Sequence, residues 1–156
     1  MIIAVDTNIL LDILIPDEEF MLNSKRLLDR YAEKGQLIIC ELVYAELASQ
    51  FHSEKTLKEF LSDTGIRLIH SDEKTLCLSA ERWKAYANSG KHKLRCPKCG
   101  QEVSIICHKC KNAVLFRQHI ISDFIIGGHA ITHAEILLSR DRGFYKTYFK
   151  DLKVEP

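Results

Sequence analysis

The chain has 156 residues, 46% of them hydrophobic and 28% charged, with a formal net charge of +1. That is one domain with a core to bury, too short for two full domains and too apolar for a disordered chain. No run of eighteen apolar residues is present, which excludes a membrane-spanning helix.

In chain order, Ile2-Ile3-Ala4-Val5 reads as a buried parallel strand that ends at Asp6. The apolar stretch around it is broken by Asp6, Asn8 and Asp12 and has no basic lead, so it is not expected to be a signal peptide. A reducing, cytoplasmic location follows, in which the six cysteines are thiols or metal ligands rather than disulfides. A helix is predicted over about 17–35, with Phe20, Ser24, Leu27, Leu28 and Tyr31 on one face and a stop near Gly35. A second strand is predicted over 37–40, a helix over 41–51 and another through Leu57 and Leu61. A third strand at 66–69 and a helix over 72–88 capped near Asp72 come next. A helix with Asp123 at its start runs to about 133, a fourth strand covers 135–139 just before Asp141, and a short fifth covers 152–154. Strands alternating with helices predict an α/β fold, a three-layer sandwich around a central parallel sheet.

Residues 91–115 break this pattern, with no helical period and a surplus of Cys and Lys. Between Ser89 and Arg117 there are seven basic residues and one acid, a net +6 in a chain of +1, so the remainder carries −5. An acidic body carrying a basic module points to a polyanionic partner. Cys96-Pro97-Lys98-Cys99 and Cys107-His108-Lys109-Cys110 form two C-x2-C pairs seven residues apart. Each pair fits a turn with two sulfurs facing one ion, and two pairs complete a tetrahedral thiolate site. One structural Zn²⁺ is expected; iron is the alternative by ligand type, and a redox role would need only one pair. The domain division is therefore a single α/β domain over 1–156 with an inserted zinc ribbon at 91–115. Lys93, Arg95, Lys98, Lys109, Lys111 and Arg117 are candidate contacts to an RNA backbone, or they offset the thiolates and keep the module soluble.

Four acids stand out in the body. Asp6 and Asp141 each lie just past the C-terminal end of a predicted buried strand, where open α/β sheets place their ligands. Each could equally serve a turn, Asp6 with Thr7 and Asn8, Asp141 with Gly143. Glu46 lies in an otherwise apolar helix; Glu41 is roughly 140° away around the axis at ~100° per residue, better placed as a first-turn acid at the positive helix end. Asp123 opens an apolar helix, where capping is the ordinary role. His129 and His133 share a helix face, but no acidic flank makes them a metal motif.

Together these residues resemble PIN-domain nucleases. The resemblance rests on Asp6-Thr7-Asn8 after a strand, Tyr44-Ala45-Glu46-Leu47, the segment from Ile121-Ser122-Asp123-Phe124 to Gly127-Gly128-His129-Ala130, and Leu138-Ser139-Arg140-Asp141-Arg142-Gly143-Phe144-Tyr145. Within that superfamily the chain looks like the VapC branch. The resemblance implies a pocket of Asp6, Glu46, Asp123 and Asp141 that binds one or two Mg²⁺ or Mn²⁺, with Asn8 and Ser139 in support. It implies a metal-dependent endoribonuclease like the toxins of toxin–antitoxin systems, a homodimer, and an antitoxin protein as partner. Two other readings stand beside it: an RNA-processing nuclease, since a ribosomal-RNA-maturing PIN nuclease carries a zinc ribbon after its PIN domain, and a non-catalytic RNA-binding protein acting through the ribbon.

Overall fold

The computed structural model describes residues 1–15, 18–89, 94–95, 101–114 and 120–156. Its chain order begins β1 (Ile2–Val5), α1 (Thr7–Leu14), α2 (Met21–Ala32), β2 (Gln36–Ile39), α3 (Glu41–Ala48), α4 (Glu54–Asp63), β3 (Arg67–Leu68) and α5 (Glu73–Asn88). After β4 (Leu94–Arg95) and β5 (Glu102–Val103) come α6 (Ile121–His133), β6 (Ile136–Leu138), α7 (Arg142–Tyr148) and β7 (Val154–Glu155). Five strands form one parallel sheet in the order β3-β2-β1-β6-β7. Ala4 is the register point, facing Ile38 on one side and Leu137 on the other.

Consecutive strand residues point to opposite faces. Ile3, Ala4 and Val5 are all buried, as are Leu37, Ile38 and Ile39 and all three residues of β6. Both faces of the sheet are therefore covered, and the layers number three. The order changes direction at β1: its connection leads to β2 on one side, while β6 and then β7 lie on the other. That makes the C-terminal ends of β1 and β6 the crevice of the sheet.

Two helices are additional to those expected from the sequence. α1 starts on Asp6, whose side chain accepts from the Thr7 N–H. Its apolar residues Ile9, Leu10, Leu11, Ile13 and Leu14 take one broad side of the axis, with Asn8 and Asp12 on the other, and they continue the apolar run of β1 after only three residues. α7 is one short element capped by Asp141, which accepts from the Phe144 N–H at 3.1 Å. α5 and α6 pack backbone-close at Gly128, while Gly127 seats the ring of Phe149 at the end of α7. A Cβ on Gly128 would stand 2.2 Å from Ser79 Oγ, and one on Gly127 would stand 2.7 Å from the Phe149 ring.

The inserted stretch forms its own two-stranded antiparallel sheet, β4 with β5, outside the main sheet. A bridge from Ile106 to Ala113 closes the loop that carries Cys107 and Cys110. Lys91, Lys93, Cys96, Lys98, Cys99 and Arg117 lie outside the described residues. No helix among the described residues is long and apolar enough to cross a membrane.

Candidate active site

Asp6 leaves β1 where its backbone N–H still bonds Leu138 O of β6 at 3.0 Å. The chain must turn there to start α1, and a short acceptor side chain is what a helix start takes. The carboxylate is buried, with 7% of its surface exposed. Oδ1 accepts from Thr7 N at 2.7 Å. Oδ2 accepts from Asn8 Nδ2 at 2.8 Å, Ser139 Oγ at 2.6 Å and the Tyr145 hydroxyl at 3.3 Å. Burial raises its pKa from 3.8 to about 6; the bonds from Ser139, Thr7 and Tyr145 work against that rise, and the charge of Glu46 adds to it.

Asn8 and Ser139 lock this corner. Ser139 Oγ also accepts from Asn8 Nδ2 and from the Asp141 N–H, each at 3.1 Å. Asn8 Oδ1 accepts from the Arg140 N–H at 3.2 Å, which fixes its amide orientation. The residues after β1 and after β6 are thus one hydrogen-bonded unit.

The other acids come from different elements. Glu46 is on α3, exposed, and accepts a short hydrogen bond from Thr7 Oγ1. Asp123 is the third residue of α6, half-buried, and its Oδ2 accepts from Ile120 N at 3.0 Å. Asp141 caps α7 and is exposed. Their fields meet at Tyr145: burial raises that phenol well above its ordinary value, and the charges of Asp6, Asp123 and Asp141 push in the same direction. As the side chains stand, no three His, Cys, Asp or Glu among the described residues close in on one point in the manner of an ion's ligands. The physical reason is visible for Asp123 and Asp141, which are turned onto backbone N–H groups.

Sequence reasoning missed Thr7 and Tyr145. Thr7 links Glu46 to the Asp6 corner, and Tyr145 sits one helical turn past Asp141 with its hydroxyl on Asp6. A residue four positions after a capping acid faces the same side of the helix, and that spacing was the available signal. Glu41 is the first residue of α3, and its Oε2 accepts from the N–H and the hydroxyl of Ser71. His129 is buried, and its Nε2 lies 2.9 Å from Ile69 O, so that nitrogen carries the hydrogen. Its ring lies 4.7 Å from that of His133.

In the insertion, the backbone N–H groups of Cys110 and Lys109, with the Cys110 thiol, hold the Cys107 thiol below its ordinary range. Cys107 and Cys110 are free thiols, and Lys109 and Lys111 are exposed. Lys111, just after the second cysteine, has φ of 60°, in the left-handed region, and its N–H bonds Cys107 O at 2.8 Å, closing the turn over 107–111.

The PIN domain family matches residues 3–150 of this chain. No curated protein matches it. Among solved structures, the chain is similar to VapBC2 from Rickettsia felis bound to a DNA fragment from their promoter (18% identity over 99% of this chain and 98% of that one, TM-score 0.62). It is also similar to a toxin–antitoxin complex from Klebsiella pneumoniae (18% identity, 98% and 95%, TM-score 0.61). A third similar structure is VapBC-1 from nontypeable Haemophilus influenzae (16% identity, 99% and 97%, TM-score 0.62). At these identities the likeness is one of fold.

Proposed function

The chain belongs to the PIN-domain family, and from that membership we propose that it is an endoribonuclease acting at the acidic crevice, with Asp6, Glu46, Asp123 and Asp141 holding Mg²⁺ or Mn²⁺. The observation that carries this reading is the Asp6 carboxyl, buried at the crevice and raised to about 6 by burial and by a second acid. A carboxylate kept where ionisation is opposed is poised to receive a cation. The donor chemistry fits a hard cation, since the four proposed ligands are all carboxylates with neither thiol nor imidazole among them. A bound divalent ion supplies a lowered pKa for water and a counter-charge for a phosphate under in-line attack.

This chain's own residues do the positioning. Asn8, Ser139 and the Thr7 N–H hold Asp6 in one orientation, so no rotamer search precedes binding. Thr7 aims Glu46. Asp123 and Asp141 would exchange their backbone caps for the cation. Tyr145, kept protonated by its surroundings, donates to Asp6 and cannot add a further negative charge.

The similarity to VapBC and toxin–antitoxin structures supports a toxin-like nuclease, with an antitoxin protein as partner. For the insertion we propose one Zn²⁺ on Cys96, Cys99, Cys107 and Cys110, supported by the lowered Cys107 thiol, since the thiolate is the ligand form. The basic residues Lys93, Arg95, Lys98, Lys109, Lys111 and Arg117 then face the RNA backbone.

The test is Asp123→Asn. Mn²⁺ binding by calorimetry and RNA cleavage in Mn²⁺ should both collapse in this variant while its melting curve stays cooperative. A variant that binds Mn²⁺ and cuts RNA as the parent does would overturn the assignment.

A further inference from the structure

A groove of about 630 Å³ opens beside α2, within the ~300–1,000 Å³ of small-ligand sites. Arg26, Arg30 and Arg140 line it together with Phe20, Leu27 and Pro156, and no described lining side chain is acidic. Arg26 and Arg30 are one helical turn apart on α2, on one exposed face. Arg140 is built in rather than loose. Its Nη2 is 2.7 Å from Asp12 Oδ1, a carboxylate only 3% exposed that also accepts from Ser24 Oγ at 2.6 Å. Its guanidinium lies over the Phe20 ring with Cζ 4.1 Å from the centroid, and the side chain keeps 36% exposure.

The crevice chemistry leaves this arrangement unused, yet Arg140 is the residue between Ser139 and Asp141, and its N–H is bonded to Asn8. We propose that the groove is a subsite for a nucleotide of single-stranded RNA flanking the bond to be cut. Arg26 and Arg30 take its phosphates, and the Arg140 plane, layered on Phe20, is the platform for its base. The proposal rests on the nuclease reading above and deepens it. Asp12 neutralises one of the three charges, which leaves Arg26 and Arg30 for a polyanion. An acidic peptide would satisfy those charges but has no use for a flat cationic platform, whereas unstacked bases lie on guanidinium planes. The aromatic ring beneath stiffens that plane.

The experiment is fluorescence anisotropy of a short labelled single-stranded RNA on the whole protein without added Mg²⁺ or Mn²⁺ and without chelator, so that metal-dependent cleavage is suppressed and the insertion keeps its metal. Arg26→Glu with Arg30→Glu should weaken binding roughly tenfold or more and lower the salt slope by ~0.7 per lost contact. Both positions are exposed, and an unchanged melting curve certifies the fold. Arg140→Lys keeps the charge and loses the plane, so affinity should fall with the salt slope retained. Parent-like affinity and slope in the double variant would overturn the subsite, even if the parent cuts RNA in Mn²⁺. So would an Asp/Glu-rich peptide that binds the parent more tightly than RNA and is released by the same two substitutions. Arginine-dependent RNA binding by a parent that never cuts RNA in Mn²⁺ would support the groove as a site for single-stranded RNA and overturn the nuclease reading.

Discussion

The crevice around Asp6 and the inserted loop around Cys107 are ordered by opposite means. At the crevice, packing comes first: Ile3, Ala4 and Val5 of β1, all of β6 and Phe144 are buried, and within that frame an acid is held in a place that resists its charge. In the insertion, Val103, Ile105, Ile106 and Val114 are exposed, Ile106 by 57%. Its shape follows from backbone bonds such as Cys107 N to Asn112 O at 2.9 Å and Lys111 N to Cys107 O at 2.8 Å. A core can hold an unfavourable group in position for chemistry; a loop without one depends on local bonds and, in our reading, on a ligand. Damage to the core should therefore be felt at the crevice and spare the insertion, and the reverse should hold as well.

The largest effect is expected from Phe124→Ala. Phe124 is fully buried and touches the rings of Tyr86, Phe144, Tyr148 and Phe149 at centroid distances of 5.0–5.9 Å. Removing it should cost about 3–5 kcal/mol in urea unfolding. Thiol titration of Cys107 and Cys110 in the still-folded fraction should be unaffected; a faster reaction there would erase the proposed independence of the two regions.

Next comes the charge held against its preference. The folded pKa of Asp6, about 6, lies above the ordinary 3.8. The folded state thus binds the proton more tightly, and this acid's contribution to stability falls as pH rises through that window. In metal-free buffer, the stability of Asp6→Asn relative to the parent should grow by about 2 kcal/mol from pH 4 to pH 7, at ~1.36 kcal/mol per pKa unit. A pH-independent difference would show that Asp6 titrates as an ordinary carboxyl.

The smallest effect on the body is expected from Cys107→Ser with Cys110→Ser. Elemental analysis should find one zinc per parent chain and none in the variant, while the cooperative melt of the body shifts by no more than about 0.5 kcal/mol. Loss of cooperative unfolding would make the insertion part of the core.

How far the sequence foretold these regions depends on the range of the forces involved. β1, β2 and β6 were legible because strands buried on both faces are continuous apolar runs. Asp6 and Asp141 were legible as acids at strand ends. α1 was not, because its eight residues directly continue the apolar run of β1 and its cap is the site acid itself. α7 was hidden because Asp141 and Gly143 read equally well as a turn. The bonds from Thr7 to Glu46 and from Tyr145 to Asp6, and the ion pair of Asp12 with Arg140, join residues far apart in the chain. Such pairs leave no local pattern and exist only once the helices have packed.

The central claim is that an acid placed at a cost to the fold is placed for chemistry. The most direct measurement is the RNA cleavage rate in Mn²⁺ of Asp6→Asn against the parent, at a pH where both are folded. The account predicts a variant at least as stable as the metal-free parent at neutral pH whose rate falls by about a thousandfold or more, ~4 kcal/mol of transition-state stabilisation. A folded Asp6→Asn protein that cuts RNA within a few-fold of the parent would contradict it.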